Sequence, residues 1–542
     1  MEQKIANSIK ELYELDASPV ITRPDPQFGD FATNVALQLA KQLGKNPREI
    51  AEEIAAKLRQ SGEYEAVDVA GPGFINITLT SAALLALTRE EPHATRIGEQ
   101  TVIETNNPNP FKAMHIGHGF NAILGDTIAN LLAVSGARVH RVSYHGDVGL
   151  HVGRSMYSLL KYAEGDFAKI EAIPENERNT FMSKMYAEGS RAYKESDEAK
   201  AEITKLAERS FAPGDDLYGK IYELCKAWSF EQIDAIVKQL GNVPIERRFL
   251  ESTADARGVA TVRENVPKVF QESDGALVFK GSEYGSFDNV FVGSNGRGLY
   301  AARDLGLMQL KDEAYAPVHS YIVTAEEQRD YFKGVIAAAG LVWPEKKGVT
   351  INISTGTVKL ATGKMSSRDG EVVEIAWLFD EFSKAIAERG GDPTDDIVAG
   401  ALRYSFLRVK IGSDVVFDIN EAVSLTGNTG SYLQYAHARA CSILEKSSAE
   451  FSYPTDVLPE DRSLVRKLGE YQEVVTRATT SLEPHHICTY LFELAQEFNR
   501  YYEKNQVVGG EYEAHRAGLV SLYADTLKAG LTILGIHAPE KL

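Results

Sequence analysis

The stretch Thr105-Asn106-Asn107-Pro108-Asn109-Pro110-Phe111-Lys112-Ala113-Met114-His115-Ile116-Gly117-His118-Gly119 decides how the rest of the chain is read. Before it stands an apolar run, Thr101-Val102-Ile103, with the composition of a buried strand, and after it residues 120–132 carry helical apolar spacing. Strand, Asn/Pro-rich turn and helix in that order fit a parallel α/β sheet. There the turn sets His115 and His118 at a helix N-terminus above the strand ends, where free N–H groups and the helix dipole favour an anion. Phosphate suits that place. Two imidazoles can donate to phosphoryl oxygens, and Gly117, lacking a Cβ, would let a flat ring or a ribose lie against the backbone. A bare H-x-x-H is more often N-cap or surface decoration, so the motif needs a partner.

That partner lies far downstream. Gly363-Lys364-Met365-Ser366-Ser367-Arg368-Asp369-Gly370 is a cationic, hydroxyl-rich loop flanked by glycines. In isolation it reads as a solvated basic turn; beside a nucleotide site, an ammonium on a flexible stem can follow charge into a pentacovalent transition state. Together the two stretches resemble the paired signatures of class I aminoacyl-tRNA synthetases, and their surroundings most resemble arginyl-tRNA synthetases over nearly the whole chain. The resemblance implies an α/β Rossmann-like catalytic domain with an N-terminal α+β domain and a C-terminal all-α anticodon-binding bundle. It also implies ATP-dependent ligation of L-arginine to tRNA(Arg) through an arginyl-adenylate, with ATP and its Mg2+ as substrate, no tightly bound metal, and activation only when tRNA is bound.

On the same resemblance, ATP lies against His115, Gly117, His118, Lys364, Met365, Ser366 and Ser367, and catalysis falls to His115, His118, Lys364 and a further cation, Lys112. The family's Lys-Met-Ser-Lys signature is not fully kept: Ser367 and then Arg368 follow where its last lysine stands. A regulatory paralogue would be expected to lose His115, His118 or Lys364, and all three are present.

With 542 residues and 44% hydrophobic content, the chain is long enough for three or four domains. No run approaches a membrane span, and Met1-Glu2-Gln3-Lys4 opens a charged helix rather than a signal peptide, so a cytoplasmic address is expected. Cys225, Cys441 and Cys488 lack the spacing of a disulfide framework or a zinc ribbon, and each is expected to be a small buried residue. The net charge of −18 argues against non-specific polyanion binding, though not against one RNA aligned on local basic stripes. A monomer is expected.

Residues 1–97 read as an appended domain, with a helix opening across 28–37, another starting at Pro47, and a strand at Phe74-Ile75-Asn76-Ile77-Thr78-Leu79. Phe74 and Asn76 share a strand face: either an edge strand covering core, or a ring and an amide that take a splayed base. Resemblance favours the second, because this domain is similar to the one that meets the tRNA D-loop. Residues 98–389 form the catalytic domain, whose second strand, 137–143, leads to a ligand loop at 144–149. Asp147 there either caps the next helix or lines the amino-acid pocket. A charge-rich helical insertion spans about 155–245, between the two halves of the nucleotide fold, with Lys194/Glu198 and Glu202/Lys205 as surface ion pairs. The second half is expected to resume with a strand at 287–292, and a hairpin over 351–360 to lead into the Lys364 loop. Residues 390–542 read as helical; Tyr432, Tyr435 and Arg439 form one stripe, which is either buried in the bundle or able to stack bases and meet phosphate. Resemblance to the anticodon-binding bundle favours tRNA, although its Asp-Ala-Leu-Arg signature is degenerate at residues 515–520.

A guanidinium is a permanently charged planar fork of five donors, best held by carboxylates and neutral acceptors. Glu104 at the first strand's end and Asp304, four residues after Tyr300 on a helix, supply two charges, and Asn109, Tyr300 and Gln328 the neutral partners. Singly each is more often a cap or a surface ion pair; their joint match to the arginine-binding positions of the family singles them out. Lysine would satisfy the charge but leave acceptors unpaired, at about 1–3 kcal/mol each.

Overall fold

The computed structural model describes residues 1–361 and 373–542. The chain opens with α1 (Glu2–Tyr13), β1 (Ile21–Thr22), β2 (Phe31–Thr33), α2 (Val35–Leu43), α3 (Pro47–Arg59), β3 (Tyr64–Ala70), β4 (Phe74–Leu79) and α4 (Ser81–Leu87). The strands pair antiparallel in the order β1-β2-β4-β3, and α3 starts, as its sequence demands, with Pro47 in its first turn behind the Asn46 cap. The helix expected across 28–37 begins only at Val35. Phe31–Thr33 instead pair with β4, because three successive buried side chains satisfy a sheet sandwiched between layers. With β2 on one side and β3 on the other, β4 is interior, not an edge.

Next come β5 (Gln100–Asn106), α5 (Ile116–Val134) and β6 (Arg138–His145). The helices α6 (Leu150–Ala163), α7 (Ala168–Glu171), α8 (Arg178–Glu195), α9 (Asp197–Arg209) and α10 (Leu217–Gln239) follow. Then β7 (Arg247–Leu250), α11 (Glu251–Glu264), β8 (Gln271–Ser273), β9 (Ala276–Phe279), β10 (Asn289–Val292), α12 (Tyr300–Tyr315), β11 (His319–Ala325), α13 (Arg329–Val342), β12 (Thr350–Thr355) and β13 (Val358–Leu360) complete the α/β region. Its sheet is parallel with order β12-β11-β5-β6-β7. Ligands of such sheets lie where the order reverses, here between β5 and β11.

Four expectations are corrected. The helical insertion leaves after β6 and returns before β7, inside the first half of the sheet rather than between its halves. Residues 287–292 do not resume that sheet; β10 joins an antiparallel sheet, β10-β9-β8, beside it. No hairpin forms over 351–360: β12 is the parallel sheet's edge, and β13 pairs in parallel with β14 (Val415–Phe417). Lys194 and Glu198 stand either side of the break at Ser196, and among the described residues neither they nor Glu202 and Lys205 form an ion pair.

The remainder is helical: α14 (Ile375–Glu388), α15 (Asp395–Leu407), α16 (Ile419–Ala422) after β14, α17 (Gly430–Lys446), α18 (Arg462–Leu468), α19 (Tyr471–Ser481), α20 (His485–Lys504) and α21 (Glu513–Ile533). Cys225 and Cys488 are buried as expected, and Cys441 only partly. One buried knot ties this bundle to α5. Arg403 of α15, fully buried, donates to Asp126 Oδ2 (2.9 Å) and Thr127 Oγ1 (3.1 Å) of α5, to Leu240 O and Asn242 Oδ1 after α10, and to Leu534 O after α21. A buried guanidinium persists only where its donors are met, and here three regions of the chain meet them. The helix that carries both histidines is thereby held at its middle.

Candidate active site

His115 is the N-cap of α5 and His118 its third residue. The His118 N–H donates to His115 Nδ1 and the His115 N–H to His118 Nδ1, each at 3.3 Å, and the rings stack with centroids 3.6 Å apart. Each Nδ1 therefore accepts, so the proton of each neutral ring sits on Nε2. Burial, then the Lys112 charge, lowers the His115 pKa to about 4. Burial, with His115, Lys112 and His145 adding, holds His118 well below the usual histidine range. Near neutral pH both are uncharged donors. A Cβ on Gly117 would lie 3.1 Å from His115 Cε1, so this glycine makes room for the stacked imidazole. Lys112 is exposed, its Nζ 5.8 Å from the Tyr186 ring centroid, and it does not line the cavity described below. Lys364, Met365, Ser366 and Ser367 lie outside the described residues. The chain just after them is tied to the histidine turn: Ile116 N donates to Val373 O (2.9 Å), and Ile375 N to Met114 O (3.0 Å).

Above the carboxyl ends of β5, β6 and β11 opens a cavity of about 880 Å³. His115, Gly117 and His118 line it, and so do Glu104, Asn109, Tyr300, Asp304 and Gln328. Tyr144 of the expected ligand loop lines it too, as do Asn107, Glu251 and Tyr331, which the sequence did not single out. Glu104 is not a bare carboxylate. Lys311 Nζ donates to its Oε1 and Asn107 Nδ2 to its Oε2, both at 2.7 Å, while Asn107 Oδ1 accepts from Tyr144 N (2.8 Å). The missed signal was periodic: Tyr300, Asp304, Leu307 and Lys311 are spaced four, three and four along α12, one face of a helix.

Asp304 accepts from the Tyr331 hydroxyl. Burial pushes its pKa up to about 7, against the lowering effect of that hydrogen bond, and the charges of Glu104 and Glu251 push the same way. Glu251 is raised by burial, opposed by Arg303, which binds it at 2.9 Å and Asp255 at 3.1 Å. Asn109 presents an amide whose Oδ1 already accepts from Gly146 N (2.9 Å). Tyr144 Oη and Asn106 Oδ1, both of cavity-lining residues, are buried without a hydrogen-bond partner among the described residues. Buried orphans of that kind mark a place for a polar guest. Asp147 neither caps α6, the next helix, nor lines the cavity: it is buried, and its carboxylate accepts from Ser252 N and Oγ in the first turn of α11 and from the Tyr222 hydroxyl of α10, stapling the two helices behind the wall.

Outside the cavity, Phe74 is exposed and Asn76 half-buried on the outward face of β4. Tyr435 is exposed on α17, whereas Tyr432 and Arg439 are tied together through Asn499 of α20. Asn499 Nδ2 donates to the Tyr432 hydroxyl (2.7 Å), and Arg439 donates to Asn499 Oδ1 (3.2 Å) while lying 5.0 Å from the Tyr502 ring centroid. The stripe is thus partly engaged within the bundle.

A nucleotide-sized cavity at the sheet's switch point, walled by stacked neutral histidines on one side and carboxylates on the other, is the architecture of a class I aminoacyl-tRNA synthetase. Residues 80–396 match the family model described as tRNA synthetases class I (R), catalytic domain, residues 1–79 the arginyl tRNA synthetase N terminal domain, and residues 433–542 the DALR anticodon binding domain. The chain belongs to the arginine–tRNA ligases and attaches arginine to tRNA for translation. The arginine–tRNA ligase of Colwellia psychrerythraea is 30% identical over 95% of this chain and 94% of its own length, and that of Thermobifida fusca 30% over 97% and 96%. The arginyl-tRNA synthetase structure of Thermus thermophilus superimposes with a TM-score of 0.82 at 26% identity, covering 100% of this chain and 99% of that one.

Proposed function

We propose that Glu104, Asp304, Asn109, Tyr300 and Gln328 hold the guanidinium of arginine, and that MgATP lies across His115, Gly117 and His118 and is bound as well by Lys364, Met365, Ser366 and Ser367. The arginine carboxylate, already ionised, attacks the α-phosphorus in line, and the bond to the leaving pyrophosphate breaks. The Nε2 donors of His115 and His118 stabilise charge on the phosphoryl oxygens, and Lys364, with Arg368 four residues on, supplies the cations that follow it, while Lys112, three residues before His115, adds its charge from beside the cavity. A terminal adenosine hydroxyl of tRNA(Arg) then takes the arginyl group from the adenylate, releasing AMP. Positioning carries most of the rate.

What supports this reading above all is that one cavity is lined by both the histidine turn and the carboxylates. Residues 1–97 and 390–542 act as tRNA-contacting domains, through Phe74 and Asn76 at one end and Tyr432, Tyr435 and Arg439 at the other, and 98–389 as the catalytic domain. The enzyme works as a cytoplasmic monomer, and tRNA gates activation.

The test is arginine-dependent exchange of labelled pyrophosphate into ATP, with and without tRNA, beside a panel of other amino acids. Exchange with arginine alone, and only with tRNA present, is expected. Exchange with another amino acid would reassign Glu104 and Asp304; exchange with arginine in the absence of tRNA would remove the gating.

A further inference from the structure

Behind the cavity wall, Lys311 pairs with Glu104, which lines the cavity, and each side chain is only 1% exposed. An ammonium is strongly hydrated, so burying one behind a binding pocket is costly unless it does something an apolar residue would not. An ionised carboxylate offers about four acceptor sites on its two oxygens. Lys311 takes one on Oε1 and Asn107 one on Oε2, both at 2.7 Å. Each oxygen of Glu104, which lines the cavity, therefore keeps acceptor capacity for one further donor. That is the pattern a guanidinium fork fills with two parallel N–H bonds. A substrate ammonium reaching the same carboxylate would be a second compact cation beside the ammonium of Lys311 and would be repelled by it. A guanidinium, with its charge spread over three nitrogens and less tightly hydrated, suffers less.

We propose that Lys311 is a positioning residue that sets the amino-acid pocket for a guanidinium and against an ammonium, acting through Glu104. Specificity then has a repulsive element behind the attractive one. Lys311 lies two turns beyond Asp304 on the same face of α12, so one helix delivers a carboxylate to the pocket and the cation that preloads the other carboxylate. This inference rests on the assignment of Glu104 to the guanidinium.

The experiment is tRNA-dependent pyrophosphate exchange on the full chain, comparing arginine with lysine, for Lys311→Met, Lys311→Gln, Glu104→Gln and the double variant Lys311→Met/Glu104→Gln. Either Lys311 variant is expected to raise KM for arginine about 10-fold, to leave kcat within about 2-fold, and to lower the arginine-over-lysine ratio of kcat/KM about 10-fold. Added to Glu104→Gln, Lys311→Met should raise KM no further, because it acts through a charge no longer there. The double variant buries no unmatched charge, so it keeps the test alive if Lys311→Met alone does not fold. If Glu104→Gln raises KM while the Lys311 variants leave KM and the ratio unmoved, or if Lys311→Met still weakens arginine in the Glu104→Gln background, the inference falls and the pocket stands. If Glu104→Gln leaves KM unchanged, the pocket assignment falls and takes the inference with it.

Discussion

The two ends of the cavity handle burial in opposite ways. At the histidine end, burial switches charge off: His115 and His118 are driven to the neutral form, and each ring is oriented by a backbone N–H rather than by a charged partner. At the carboxylate end carboxylates are paired with cations, Lys311 with Glu104 and Arg303 with Glu251 and Asp255; burial raises Glu251 against its pairing, and Asp304, which has no cation in direct contact among the described residues, is pushed up to about 7. A polyanion substrate already carries its counterions and needs donors. A cationic substrate brings the missing charge itself, so its pocket can be left with more carboxylates than cations. The comparison predicts different responses to mutation and to pH.

The largest effect falls on the histidine end. His118→Ala removes an Nε2 donor and the acceptor that orients His115, and the exchange rate should drop about 10²- to 10³-fold with tRNA affinity within about 2-fold, as filter binding would show. An unchanged rate would remove the phosphate role. His115→Asn retains an N-cap oxygen for the His118 N–H and loses only the ring donor, so helix and fold should persist while exchange falls about 10-fold; a full loss of folding would mean that the imidazole is chiefly structural.

The pH response separates the ends more finely. Since the Asp304 carboxyl is raised to about 7, arginine must displace its proton, and KM for arginine should fall as pH rises through about 7. Over about pH 6 to about pH 8 the histidines stay neutral, so KM for ATP should be flat between those values. Steady-state titration of both constants decides it, and parallel curves would break the comparison. The smallest change comes from Tyr331→Phe. Losing the hydroxyl that lowers the Asp304 pKa should move the arginine profile to higher pH, raising KM a few-fold at neutral pH and little in alkali, where the carboxylate is ionised either way.

Much of this was legible in one dimension because it is local. The histidine turn follows from a strand, a Pro/Asn turn and a helix in immediate succession, and Tyr300 and Asp304 share a helix face by spacing alone. Where the reading went astray, long-range pairing decided. Phe31–Thr33 became a strand because β4, more than forty residues on, offered a ladder; 287–292 pairs with its own neighbour β9 and not with the parallel sheet; 358–360 pairs with 415–417 instead of folding back. Strand partners are chosen by packing layers that a local pattern does not encode.

What the sequence by itself determined is the set of reactive groups and the local geometry that presents them: two imidazoles at a helix start, a carboxylate at a strand end, another on a helix face. Periodicity and turn chemistry act over a few residues and need no tertiary partner. Only the tertiary structure decided their charge state. Lys311 meets Glu104 across 207 residues of chain, Tyr331 meets Asp304, and the interior removes water from all of them. Because desolvation and pairing depend on what surrounds a group in space, the same residues in the same order carry no fixed charge until the fold closes over them.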